Sequence, residues 1–174
     1  MISSMDSFLR YFRGVQQRTA RDVALLPGDV ATWRPASPGD DVAWDIDRIV
    51  EHIAASRLMF ANVYCGDGWL ILDEPVTGGP EGWQPALEAS AAALDARLRA
   101  TPDEWLSRRV GLPYRAGDIA GWRILMLMTE HEIHHRSQLA TYAGLNGWPV
   151  ADLFGRSYEE LEALQADDRH GATD

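Results

Sequence analysis

The stretch Glu130-His131-Glu132-Ile133-His134-His135-Arg136-Ser137-Gln138 holds three of the chain's five histidines within five residues. On a helix, His131 and His135 stand one turn apart and point the same way. Two imidazoles so spaced can offer nitrogens to one metal ion. His52, far upstream on the flank of another helical pattern, is the third candidate ligand. Two histidines from one helix and one from another leave Zn²⁺ a fourth position for water or an anion, which is a catalytic arrangement and not a closed structural one. Unpaired imidazoles on an apolar arc are costly to bury unless something joins them. His134 falls at the edge of that arc and is not counted as a ligand; His170 lies near the end of the chain and is given no role.

The same residues satisfy H-E-x-x-H, in which the glutamate serves zinc peptidases as general base. On that reading a third ligand comes from Glu159, Glu160 or Glu162. Such peptidases carry a sheet beside the helix, and no good run of strands is present. A hydrolase of this type is therefore the second enzyme class, and a non-catalytic stress or binding protein is the rival outside enzymes.

The elements that would position these groups follow from apolar periodicity. Met5 to Leu26 reads as a helix, with Phe8, Tyr11, Phe12, Val15, Thr19 and Val23 on one side and Ser4 or Asp6 as cap. Val30 to Ala43 is a connection bracketed by Trp33 and Trp44, which are expected to pin it to the core, with a pocket wall as the alternative. Asp45 caps a second helix running to Tyr64, with Ile46, Ile49, Val50, Ile53 and Phe60 buried. Arg57 falls near the centre of that apolar arc and needs a partner. Residues 66–82 form a long glycine-rich loop, a lid or an insertion, whose Trp69-Leu70-Ile71-Leu72 must pack somewhere.

A third helix spans Pro85 to Ala100. Thr101-Pro102-Asp103-Glu104 reads as a capping box opening a short turn, and residues 108–117 read as irregular. The fourth helix runs from Asp118 or Ile119 to Ala143, stopped by Gly144. Ile124, Leu127, Met128, His131, His135, Gln138, Leu139 and Tyr142 share one broad arc. Trp122, Met126, Ile133 and Ala140 form a second stripe, so this helix is buried on most sides, either by its own domain or by a partner. Ser157 to Glu160 opens a last helix to about Gln165, and residues 167–174 read as a flexible tail after a single domain of residues 1–166. Four long helices and few strands make an all-α, four-helix bundle.

Composition narrows the partners. A net charge of −10 argues against nucleic acid. All sixteen basic residues are arginine, which reads as codon bias and not as chemistry. The single cysteine, Cys65, excludes an intrachain disulfide. Met1 to Ser7 is polar and does not read as a signal peptide. No apolar run approaches the roughly 20 residues that span a bilayer. A soluble cytoplasmic protein is expected.

The chain resembles the DinB family (the DinB/YfiT-like group) over nearly its whole length. The resemblance rests on Phe8-Leu9-Arg10-Tyr11-Phe12, on Trp44 leading into Ile49-Val50-Glu51-His52-Ile53, and above all on residues 130–139, close to the family pattern H-x-x-H-H-R-x-Q. Ser137 stands where that family often has glycine. The resemblance implies an up-down-down-up bundle, usually dimeric, with His52, His131 and His135 as metal ligands. Relatives include thiol-dependent S-transferases and isomerases that use bacillithiol or mycothiol.

These readings give an expected activity: metal-assisted attack on an electrophile, the nucleophile being water or a low-molecular-weight thiol. Zinc is the expected metal, with nickel, manganese or iron as alternatives. Arg57, Arg136, Gln138 and Tyr142 are the candidate contacts to substrate or thiol. Cys65 is set aside as nucleophile, lying about thirteen residues and nearly 20 Å along the helix from His52. The second apolar stripe predicts a symmetric homodimer through the fourth helix or the first beside it.

Overall fold

The computed structural model describes residues 2–37, 43–113, 116–152, 156 and 158–171. The chain is mostly helical, with five helices and one two-stranded sheet among the described residues. Helix α1 spans Met5–Ala24, α2 Ile46–Cys65, α3 Pro80–Arg99, α4 Gly121–Asn146 and α5 Tyr158–Gly171. Helices α1 and α2 each pack against both α3 and α4. No described helix is long and apolar enough to cross a membrane.

Local signals set the helix ends. Ser4 caps α1 through the Ser7 amide, and Ser7 returns the bond to the Ser4 amide. Asp45 accepts from the Arg48 amide at the start of α2. Helix α3 begins at Pro80, not at the expected Pro85, which lies inside it. Pro80 is suited to a first turn, whose amides have no intrahelical acceptor. The carbonyl that loses its donor to Pro85 belongs to Glu81, an exposed residue that water can serve.

Helix α4 also departs from expectation at both ends. Residues 109–111 and 118–120 pair as antiparallel strands β1 and β2, with Val110 opposite Ile119, so the helix starts at Gly121. A side chain at Gly121 would run into the Trp105 carbonyl oxygen, which fixes glycine where the chain turns into the helix. Gly144 does not stop α4; the left-handed cap is Gly147, at φ 66°. The expected capping box at Thr101 is not made. Thr101 donates to the Leu98 carbonyl, and Asp103 instead accepts from the Met5 amide of α1. Helix α5 continues past Gln165 to Gly171, the first helix-breaking residue after it; Ser157, its expected cap, lies outside the described residues.

The apolar core has two parts. One gathers Phe8, Phe12, Tyr64, Leu98, Ile124 and Met128. The other gathers Val23, Ile46, Ile49, Ile53, Trp83, Leu87 and Leu139. Belonging to neither are the buried polar side chains Thr19, Ser56, Arg57, Ser90, Glu132 and His135. Within a single chain the expected Trp122–Met126–Ile133–Ala140 stripe is only partly covered, with Ile133 exposed. The second stripe that the chain itself buries is Leu125–Thr129–Glu132–Arg136, at helical spacing; Glu132 and Arg136 meet partners on other helices, and Thr129 donates back to the Leu125 carbonyl of α4.

Candidate metal centre

Helix α2 carries His52, and α4 carries His131 and His135. One ring nitrogen from each lies within 4.8 Å of the other two, the group with metal-ligand geometry found among the described residues. It does not include Glu159, Glu160 or Glu162. His134 is exposed and packs edge-on against the His135 ring at 4.9 Å.

Hydrogen bonds decide which nitrogen each ring offers. The Trp44 carbonyl can only accept, so Tyr142 donates its hydroxyl proton there, at 3.3 Å. The Tyr142 oxygen then accepts from the Gln138 amide at 3.1 Å, which leaves the Gln138 Oε1 facing His135 Nδ1 at 3.1 Å. His135 therefore carries its proton on Nδ1 and presents a bare Nε2. His52 Nδ1 lies 2.7 Å from Glu74 Oε1, so that ring too is protonated outward and bare at Nε2. Ser56 Oγ lies 3.2 Å from the His52 Nε2 and can donate to it.

His52 Nε2 and His131 Nε2 face each other at 3.2 Å. Lone pairs at that distance repel unless a proton or a cation lies between them. Burial, reinforced by the neighbouring imidazoles, lowers His131 to a pKa of about 3. Burial lowers His135 to about 4, against the opposing effect of its bond to Gln138. At His52 and His135, bare Nε2 atoms with outward N–H groups tied to acceptors are what a divalent cation requires. The residues present fit one.

Aromatic groups wall the centre. Trp44 stacks on His135, with centroids 5.7 Å apart and 4° between planes, and meets His52 edge-on at 4.7 Å. Phe60 meets His131 at 5.5 Å. Of the two bracketing tryptophans, Trp33 does pin the connection, against Tyr142 and Trp148. Trp44 is instead a wall of the site.

The expected contacts divide. Gln138 and Tyr142 reach the centre, as the relay that orients His135. Arg57 requires correction: its Nε and Nη2 go to Glu132, and its Nη1 to the Leu87 carbonyl and Ser90. That guanidinium is fully engaged among α3 and α4 and holds no ligand at the histidines. Arg136 likewise turns to α1, with its Nε 3.6 Å from Asp22. The guanidinium at the rim is Arg48, stacked over Trp44 at 4.5 Å and 3.9 Å from Glu74. The H-E-x-x-H reading loses its base, because Glu132 is held by Arg57 and by the Thr19 hydroxyl.

The sequence singles out neither Glu74 nor Arg48 as a site residue, while Trp44 takes the part of a pocket wall that it offers as the alternative to a loop anchor. Glu74 sits in a connection without periodicity, so nothing local marks it. Arg48 lies one turn before His52 on α2, the one signal that could have drawn attention to it.

With this geometry in view, residues 1–169 match the DinB family. The chain belongs to the DinB family. Among solved structures, it is similar to a DinB-like protein from Bacillus cereus, at 18% identity and a TM-score of 0.72, covering 88% of this chain and 99% of that one. A DinB-like protein from Bacillus subtilis is 22% identical with a TM-score of 0.65, covering 81% and 92%. A mycothiol-dependent maleylpyruvate isomerase is 17% identical with a TM-score of 0.61, covering 80% of this chain and 63% of the isomerase. At these identities the likeness is one of fold. No curated protein matches the chain.

Proposed function

We propose that this DinB-family chain is a metal-dependent enzyme that promotes attack of a low-molecular-weight thiol on a small electrophile. The observation that carries the reading is the convergence of the His52, His131 and His135 nitrogens within 4.8 Å, supported by outward bonds that leave Nε2 bare on His52 and His135. A bound divalent cation, with zinc expected first, supplies a Lewis acid that lowers the pKa of a thiol or of water.

The chain's own residues do the rest. His52, His131 and His135 hold the cation. The Gln138–Tyr142–Trp44 relay keeps His135 in one tautomer, and Trp44 and Phe60 keep water from the rings. Arg48 at the rim is the group able to meet an anionic end of the thiol, since Arg57 is fully engaged and Arg136 is buried and turned toward Asp22 of α1. Cys65 ends α2, well away along the helix axis, so the thiol comes from outside.

The thiol itself is drawn from the fold neighbour that uses mycothiol. Support for an up-down-down-up order is that α1 and α2 each pack on both α3 and α4. A homodimer is supported by the groove between α1 and α4 that Phe8, Tyr11, Trp122 and Met126 line.

Titration calorimetry of zinc-loaded and chelated protein with mycothiol, bacillithiol and glutathione tests the reading. We expect one thiol to bind the loaded protein at least tenfold tighter. Equal binding to both forms would overturn the thiol-transfer reading and leave hydrolysis by water.

A further inference from the structure

The connection between α2 and α3 is tied down at both ends. At one, the Trp69 indole donates to the Gly111 carbonyl at 2.7 Å and its ring meets Phe60. At the other, the Thr77 amide donates to Glu51 at 2.7 Å, and the Thr77 hydroxyl and the Trp83 indole both donate to Asp47. A side chain at Gly82 would strike the Thr77 carbonyl, so this anchor needs glycine there. Between the anchors little is held by burial: Ile71 is 91% and Val76 93% exposed. What draws the middle of the segment inward is Glu74, whose Oε1 accepts from His52 Nδ1.

We propose that Glu74 is a positioning residue for His52, and that through it cation binding and closure of the 70–76 segment are coupled. The inference rests on the metal-dependent reading above. The physical basis is reciprocal polarisation. A carboxylate at Nδ1 fixes the ring's rotation and makes Nε2 a better donor to a cation. A cation on Nε2 draws charge from the ring and makes Nδ1–H a stronger donor to the carboxylate. Each event therefore favours the other by the same factor, since binding free energies are linked.

The second partner of Glu74 is Arg48, at 3.9 Å from the other carboxylate oxygen and itself resting on Trp44. With the segment closed the Arg48 side chain is still 54% exposed, so it stays open to an anionic ligand while Glu74 holds His52. Closure also completes a cavity of about 150 Å³ beside His52, walled by Ala55, Met59, Ile71 and Leu72. A pocket so lined takes a small uncharged group, because an anion there would face Glu74.

Zinc affinity, read by competition with a chromophoric chelator, and deuterium exchange of the 70–76 amides test this in the full chain. Glu74 lies on a surface connection, so its variants keep the helices. We expect Glu74→Ala to weaken zinc about 10- to 100-fold, with Glu74→Gln between it and wild type, because an amide oxygen accepts without charge. Zinc should slow exchange at 70–76 in wild type and not in Glu74→Ala. Wild-type zinc affinity in Glu74→Ala, beside a loss in His52→Ala, would overturn this inference and leave the metal centre standing. Wild-type zinc affinity in His52→Ala, or no zinc binding by wild type, would overturn both.

Discussion

Arg57 and Glu132 meet twice inside the fold, Nε to Oε2 at 2.9 Å and Nη2 to Oε1 at 2.7 Å, with both side chains 2% exposed. Thr19 of α1 donates to the same carboxylate at 2.7 Å, and the guanidinium also reaches Leu87 and Ser90 of α3. One buried pair thus touches all four long helices. It joins the helix that bears His52 to the helix that bears His131 and His135. Removing one member leaves an uncompensated buried charge, which costs about 3–5 kcal/mol.

Glu132→Ala and Arg57→Ala should each lose stability of that size in urea unfolding. Glu132→Gln keeps one bond but not the charge and should fall between them and wild type. If Glu132→Ala unfolds within about 1 kcal/mol of wild type, the pair is not the node described. Were Glu132 a hydrolytic base, Glu132→Gln would instead lose activity at unchanged stability.

Metal content should follow the histidines unequally. His52→Ala, His131→Ala and His135→Ala each remove one of three converging nitrogens and should strip most of the metal. His134→Ala removes an exposed ring that only packs against His135 and should retain it. Elemental analysis of the purified variants decides, and full retention in His52→Ala would take His52 out of the centre.

Which parts of this were legible in the sequence depends on range. The i, i+4 spacing of His131 and His135 is local, and so are the Ser4 and Asp45 caps that the structure bears out. Arg57 in the apolar arc of α2 was readable as a charge in need of a partner; the partner was not. Glu132 sits one residue from His131, about 100° around the helix, and an arc drawn through apolar residues alone leaves it out. Its burial follows from Arg57 and Thr19, residues 75 and 113 positions away. Glu74 is harder still, since a residue in an aperiodic connection reveals its partner only through the path of the chain. The start of α4 was misread because Asp118–Ala120 is too short for periodicity to separate strand from helix, and its pairing with Arg109–Gly111 is what decides.

Assembly gives a third prediction. Tyr11 is half exposed, and Trp122 and Met126 are only partly covered. Together with Ile2 and Phe8 they line a groove of about 430 Å³ between α1 and α4. Ala140, expected in the same surface, is covered separately, beside Leu26 and Val150. The dimer contact should therefore centre on Tyr11, Trp122 and Met126. Light scattering should give twice the 19.4 kDa chain mass at micromolar concentration, and Met126→Glu should halve it. A monomer in wild type at that concentration would refute the dimer.

The last prediction concerns acid. In the metal-free chain, burial holds His131 near a pKa of about 3 and His135 near about 4, against about 6.5 for an exposed histidine. Both folded values lie below the unfolded one, so below about pH 6.5 the unfolded chain binds more protons than the folded chain. By linkage, stability then falls as pH falls. The contribution is fully present above about pH 6.5 and is lost progressively as pH drops toward the folded values. Between pH 6.5 and 5 most carboxylates remain ionised, so the two histidines dominate the slope there. Urea unfolding of chelated protein should show stability decreasing across that window. In the double variant His131→Ala/His135→Ala the slope should flatten, because the groups that take up protons on unfolding are gone. Bound metal should not flatten it: by holding the rings unprotonated in the folded chain it keeps the proton uptake on unfolding, so the slope stays at least as steep until acid displaces the ion. An equal slope in the double variant would place the acid sensitivity elsewhere in the chain.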